Sequence, residues 1–143
     1  MTISILTTNW NDSSKTLTDI RNTVFVIEQH VPEALEIDDL DPIAIHFLAK
    51  DDISKQSIGT ARLLNDGHIG RMAVLKSWRG KGIGTKLLKQ AIAHAQKLNL
   101  AHVQLNAQVN AIDFYRKAGF SVSGEIFEDA GIDHVKMILP INR

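Results

Sequence analysis

The chain has 143 residues, enough for one domain with a single hydrophobic core that needs no disulfide or metal. Sixteen Lys and Arg balance sixteen Asp and Glu, so no net field draws the protein to nucleic acid or an anionic membrane surface, and 44% hydrophobic residues exclude a disordered chain. The absence of cysteine excludes disulfides, thiolate nucleophiles and zinc–thiolate sites together.

No apolar run approaches the roughly 20 residues that cross a bilayer. Residues 1–10 lack the basic start and apolar centre of a signal peptide, so the sequence reads as cytoplasmic. No repeat, low-complexity block or linker divides it, and residues 1–143 are taken as one domain.

In chain order, residues 2–8 alternate Ile3 and Ile5 with small polar residues and read as a strand, after which Asn11, Asp12, Ser13 and Ser14 offer helix N-caps. The following helix sets Leu17, Ile20, Val24 and Ile27 on one face and Arg21 with Glu28 on another, and ends near His30 because Pro32 disfavours helical geometry at Val31. After an acidic stretch over 33–41, two β-prone runs at 43–50 and 57–64 flank Asp51-Asp52 as a hairpin. Asn65-Asp66-Gly67 then turns the chain into a third strand at 68–75. From Ile83 the period becomes helical, with Leu87, Leu88, Ala91, Ile92, Ala95 and Leu98 on one stripe. A strand at 101–105, a helix at 110–118 stopped by Gly119, and strands at 120–123 and 133–139 complete the order β-α-β-β-β-α-β-α-β-β. Helices mixed with a meander predict an α/β sandwich around a mixed, mostly antiparallel sheet of about seven strands.

The chemistry concentrates in Arg79-Gly80-Lys81-Gly82-Ile83-Gly84-Thr85, which joins the strand of Met72, Ala73 and Val74 to the long helix. Glycines at alternate positions let backbone approach a ligand closely, and the unpaired N–H groups of a helix's first turn form an anion site. Arg79 and Lys81 add positive charge, which suits a pyrophosphate. The dinucleotide fingerprint fails on spacing, since Thr85 or Leu87 stands where its last glycine belongs. The Walker pattern fails because no Gly-Lys is followed by Ser or Thr. A basic turn that merely caps a helix remains the alternative on these residues alone.

Arg79-x-x-Gly82-x-Gly84 after a Val/Leu-rich strand resembles the coenzyme A loop of the GNAT family of N-acetyltransferases. Ala111-Ile112-Asp113-Phe114-Tyr115-Arg116-Lys117-Ala118-Gly119-Phe120 is similar to that family's A-x-x-F-Y-x-K-x-G-F passage. Residues 24–32 with Glu36, Asp38, Asp41 and His46, and Gly131-Ile132-x-His134-Val135-x-Met137, resemble a small bacterial ElaA-like or YjcF-like subgroup. The resemblance implies a sheet splayed between its fourth and fifth strands. It also implies acetyl-CoA as cosubstrate, held by Met72, Ala73 and Val74 through main chain, by the loop from Arg79 to Thr85, and by Phe114, Tyr115 and Lys117. The family's asparagine seven residues before the tyrosine is Gln108 here, and Asn110 stands as its substitute.

The activity implied is direct transfer of an acetyl group to a primary amine in a ternary complex, with a small-molecule or peptide acceptor and a monomer or homodimer. Such transfer needs a neutral amine, a stabilised oxyanion and a proton for the departing thiolate. Tyr115, the sole tyrosine, matches the family's proton donor; on its own it also reads as a packed aromatic beside Phe114. Glu28, Glu36, Asp38, Asp41, His46 and His134 are the candidates for the amine's proton, with Glu36 and His46 foremost, and together with Gln29 they are the candidates for acceptor binding at an acidic mouth. Set against this, His46 also reads as a core histidine, the acidic run as a solvated loop, and a water chain serves equally as base. The six histidines form no H-x-x-x-H or H-x-D pair, so no metal is expected. A non-catalytic coenzyme A sensor or interaction module is the competing function.

Overall fold

In the computed structural model, which describes residues 2–141, β1 (Ile3–Thr8) leads into α1 (Trp10–Arg21). The N-cap is Asn9, whose side chain accepts from Asp12 N at 2.8 Å, rather than any of the expected residues 11–14. The helix does not continue as α to His30. Residues Asn22–Glu28 widen into π-helical turns closed by bonds such as Gln29 N to Val24 O at 3.1 Å. Leu17, Ile20 and Val24 are buried as predicted, but the wider turn carries Ile27 off the stripe to 64% exposure. Arg21, read with Glu28 on a face away from this stripe, is fully buried.

The acidic stretch folds into a short helix, α2 (Glu33–Glu36), and a 3-10 turn at Asp41–Ile43. The meander follows: β2 (Ile45–Asp51), β3 (Ser57–Leu63) and β4 (Ile69–Val74) join β1 in an antiparallel sheet of order β1-β2-β3-β4. Then come α3 (Ile83–Lys97), β5 (His102–Gln108), α4 (Ile112–Lys117), β6 (Ser121–Val122), β7 (Phe127–Asp129) and β8 (Ile132–Pro140). The second sheet has order β5-β8-β6, with β7 also paired to β8. The strand missing from the sequence reading is β7, which turns into β8 through Ala130 and Gly131, both at positive φ.

The strands separate two apolar layers. On one side Leu87, Leu88, Ala91 and Ala95 of α3 bury against Phe47, Ala49 and Ile58 of the first sheet and Val103 and Met137 of the second. On the other, Leu17, Ile20 and Val24 pack on Leu48 and Ala73. α3 therefore spans both sheets and holds them together although they share little backbone pairing.

That scarce pairing is the feature that makes the site. β4 and β5 run parallel, bridged at His68 and Gln104 with Gln104 N donating to Gly67 O at 2.9 Å, and beyond this level the two sheets part. Opposite β3, Thr60 pairs with Ala73 and Arg62 with Gly70, so Arg71 and Met72 together face Ala61 in a β-bulge. Arg71 adopts φ 47° to make it. The bulge turns β4 away from β5 and re-aims its side chains.

Arg71 enters a network of three guanidinium groups and three carboxylates. Arg21 Nε donates to both Glu36 oxygens at 3.0 and 2.9 Å, and its Nη1 and Nη2 reach Asp41 at 2.8 and 3.0 Å. Arg62 Nη1 bonds Asp38 at 2.7 Å and Asp41 at 3.0 Å. Arg71 bonds Glu36 O at 3.0 Å and Asp38 at 3.1 Å. Beneath it His46 is fully buried, its Nε2 donating to Asp41 O at 2.9 Å and its ring 5.6 Å from that of Trp10.

Removing one partner of a buried ion pair strands the other charge. Arg21→Met is expected to lower the urea unfolding free energy by about 3–5 kcal/mol; a loss within the noise of the extrapolation would show that the network contributes nothing to folding.

The pH dependence follows from the same groups. Burial pushes the Asp41 carboxyl up, but hydrogen bonds and charge from Arg21, then Arg62, outweigh it and hold the group below its ordinary value. Asp38 is likewise held low, by Arg62 against burial. Burial lowers the His46 imidazole. A lowered histidine contributes stability that is complete above its unfolded value of about 6.5 and declines as pH falls below it, and lowered carboxylates do the same below about 3.9. Melting temperature is expected to fall in two stages on acidification, the first absent in His46→Phe.

Candidate active site

Beyond β4 the chain makes a 3-10 turn at Lys76–Trp78 and reaches Gly80 and Gly82 at φ 76° and 80°. These left-handed conformations are why glycine stands at both positions. No side chain caps α3, whose first bond from the loop is Lys86 N to Gly82 O at 3.1 Å, so the amides at Ile83, Gly84 and Thr85 are open to an anion. A Cβ built at Gly80 or Gly82 meets nothing within 4 Å, whereas one at Gly84 would lie 3.3 Å from Phe114 Cζ, where α4 crosses the helix start. Ile83 is buried and Thr85 exposed, which leaves Ile83 a main-chain role.

The charge on this loop differs from expectation. Arg79 turns back: its Nε donates to Val74 O at 2.8 Å and its Nη atoms clamp Glu28 at 2.6 and 2.9 Å. The hydrogen bond from Arg79 holds the Glu28 carboxyl below its ordinary value, so Glu28 is an ionised strut and not a free base. Lys81 remains exposed at the helix start.

Between the parted strands lies a pocket of about 370 Å³. Ile69, Gly70, Arg71 and Met72 line it from β4, Leu105, Asn106 and Gln108 from β5, and Tyr115 from α4. Phe25, Gln29, Val31, Leu35 and Glu36 form the wall contributed by the π-helical turns and α2, and Asp129, Ala130, Ile132 and His134 that of the β7–β8 hairpin. Tyr115 is half-buried, edge-on to Phe114 and Phe120 with centroids at 5.0 and 5.9 Å, and its hydroxyl points at Met72 Sδ, 3.9 Å away. Burial pushes its phenol up to about 12, so it stays a proton donor across physiological pH. Gln108 Nε2 donates to Gln29 Oε1 at 2.9 Å, closing the cleft between β5 and the π-helical turns.

Of the residues singled out from sequence, Met72, Gln108, Tyr115, Gln29, Glu36 and His134 meet at this pocket. Ala73 is buried under α1, Phe114 packs at the start of α3, and Asn110 and Lys117 are exposed around α4. His46 and Asp41 are corrected: both are fully buried beneath the network and neither lines the pocket. Asp38 is tied to Arg62 and Arg71. Glu36 forms part of the wall, but the guanidinium groups of Arg21 and Arg71, each within 3.0 Å, occupy the lone pairs that a base would need. Glu36, Asp38 and Asp41 are thus neutralised by arginines within the fold and do not present an acidic mouth, while Glu33 and Asp39 of the same stretch stay exposed. Sequence reasoning missed Phe25, Val31, Leu35, His68, Arg71 and Asn106 as pocket residues. Phe25 and Val31 fell within a motif already noted, but nothing local marks the others. Among the described residues no three His, Cys, Asp or Glu side chains gather as a metal site.

A parted parallel pair of strands thus leads to an uncapped, glycine-rich helix start, and comparison with known proteins shows which family shares this chain's fold. The acetyltransferase (GNAT) domain model matches residues 13–141. The uncharacterized N-acetyltransferase YjcF of Bacillus subtilis is 37% identical over 123 residues, covering 83% of this chain and 86% of that protein. ElaA of Escherichia coli is 30% identical over 135 residues, 85% of this chain and 83% of its own. The crystal structure of an acyl-CoA N-acyltransferase from Pseudomonas aeruginosa superposes with TM-score 0.85 at 29% identity, over 96% of this chain and 99% of that one. The chain belongs to the GNAT family of N-acetyltransferases.

Proposed function

We propose that the protein transfers an acetyl group from acetyl-CoA to a primary amine by direct attack in a ternary complex. The observation that carries this reading is the continuity of the β4–β5 cleft with the start of α3. The pantetheine arm of the donor fits between the unpaired edges of β4 and β5, and its pyrophosphate against the open amides at Ile83, Gly84 and Thr85. Main-chain groups of the bulge at Arg71 and Met72 are free of β3 and suit the thioester oxygen. Tyr115 supplies the proton to the departing thiolate from the α4 side, where its hydroxyl already touches the sulfur of Met72 as its polar neighbour.

Gly82→Val tests the donor site. At φ 80° a β-branched residue is strained by about 1–2 kcal/mol, which a folded domain of this size survives. Its side chain projects into the open space assigned to phosphate. Calorimetry is expected to show acetyl-CoA binding by the wild type and none by the variant; equal affinities would remove the donor from this loop.

Tyr115→Phe tests the acid. The hydroxyl makes only a long contact with Met72 Sδ, so melting temperature should hold while kcat falls by about 10²-fold, the low end for general acids because a thiolate leaves readily. Acetyl-CoA affinity should be unchanged. A lowered melting temperature with full kcat would make Tyr115 a packing residue and pass proton donation to solvent or to a histidine such as His134.

A further inference from the structure

We infer that His134 is the general base that takes the proton from the acceptor amine, an inference that rests on the acyltransferase reading above. The reason begins with the tautomer. His134 Nδ1 lies 2.7 Å from Ile132 O, and a carbonyl only accepts, so in the neutral ring Nδ1 carries the hydrogen and Nε2 keeps its lone pair. The ring is fixed by stacking on Phe127, centroids 5.9 Å apart and planes at 24°. Both restraints come from the β7–β8 hairpin, which holds a half-buried imidazole at the pocket wall with one nitrogen free to accept.

Register places it at the reacting level. His134 lies directly across from Gln108 on β5, and both line the pocket, so they share a face. β4 and β5 are still bridged at His68 and Gln104, four residues before Gln108, or about 13 Å along a strand. Met72 is four residues past His68 on the parallel strand, one of them absorbed by the bulge, and it lines the same pocket as Gln108 and His134, where Tyr115 reaches it from α4. His68, the other pocket histidine, sits at the closed end of the cleft with Nδ1 2.9 Å from Asp66.

The other groups around His134 do not compete for the proton. Glu36, Arg62 and Arg71 across the pocket are committed to the ion-pair network, and Asp129, which shares the Phe127 face of β7, is exposed to solvent. Tyr115 stays protonated. Nε2 takes one proton from the acceptor ammonium, and the freed nitrogen lone pair forms the C–N bond at the thioester carbonyl. The C–S bond breaks with its electron pair on sulfur, which takes the Tyr115 proton. The second nitrogen proton, released as the amide forms, restores the phenol through solvent, and Nε2 returns its proton to water.

Two measurements test this. In protein labelled with 15N-histidine, long-range proton–nitrogen correlation should show His134 as the Nδ1–H tautomer above neutral pH, with or without ligand; an Nε2–H tautomer would overturn the inference. His134→Asn keeps a donor for Ile132 O and deletes the Nε2 lone pair. With acetyl-CoA and a panel of primary amines read by free thiol, it should keep melting temperature and acetyl-CoA affinity. It should lose about 10²- to 10⁴-fold in kcat for whichever amine the wild type acetylates, and lose the acid limb of the pH–rate profile. A full rate, or an acid limb that survives in His134→Asn and vanishes in His68→Asn, overturns the assignment while leaving the acyltransferase reading intact. Acetyl-CoA binding with no amine turned over by the wild type overturns both.

Discussion

The network of Arg21, Arg62 and Arg71 with Glu36, Asp38 and Asp41 is the constraint on which the π-helical wall of the cleft depends. It joins α1, the segment after it and strands β3 and β4, elements separated by 15 to 36 positions in sequence at the bonded pairs. Desolvating Arg21, Glu36, Asp41 and Arg62, with Asp38 and Arg71 in part, is costly, and the geometry answers the cost with bidentate pairs and bonds to main-chain oxygen, Arg21 Nη2 to Glu36 O at 2.9 Å among them. Equal numbers of the two signs leave no net buried charge. The π-helical turns and α2 are consequently fixed over the mouth of the cleft, and a loop that would otherwise be solvated becomes a wall.

The same network explains the shape of β4. Arg71 must reach Glu36 and Asp38 from a strand whose other face supports α3, and the left-handed residue in the bulge provides that redirection. By re-aiming Arg71 the bulge also frees backbone at Met72 and lets β4 diverge from β5. Anchoring the π-helical wall and opening the β4–β5 cleft are therefore two results of one backbone irregularity. A second tie, Arg79 with Glu28, links the wall to the glycine-rich loop, so the surfaces assigned to the two substrates are mechanically joined.

Across the cleft the polar groups are arranged by side. Tyr115 belongs to the α3–α4 layer and is kept protonated by burial, while His134 lies on the strand face that meets the π-helical turns. A donor thioester threaded between the sheets would have an acid on one flank and a lone pair on the other. That is the disposition a reaction needs when one proton must leave the nucleophile and another must reach the leaving group.

Local signals were legible in the sequence. The apolar stripe of α3 falls where predicted except at Leu98, which lies past the helix end and is exposed, because 3.6-residue periodicity is a property of neighbouring positions. The glycine loop is equally local: left-handed φ at Gly80 and Gly82 is a demand each residue meets by itself. Tyr115 stood out through its motif and reaches the pocket. The π-helical widening after Arg21, the pairing of β7, the bulge at Arg71 and the neutralisation of Glu36, Asp38 and Asp41 were not legible. Each depends on a partner far along the chain, and composition cannot tell a solvated carboxylate from one clamped by a distant arginine. His46 and His134 show the difference most directly: two histidines in β-prone runs, alike in sequence, one sealed under a carbonyl in the core and one held at the pocket with a nitrogen free. By itself the sequence determined α3, the strand order of the meander and the glycine-rich turn, since these follow from short-range periodicity and backbone preference. Which ionisable groups remain available for chemistry was decided only by the tertiary structure, because burial and ion pairing are properties of assembled surfaces.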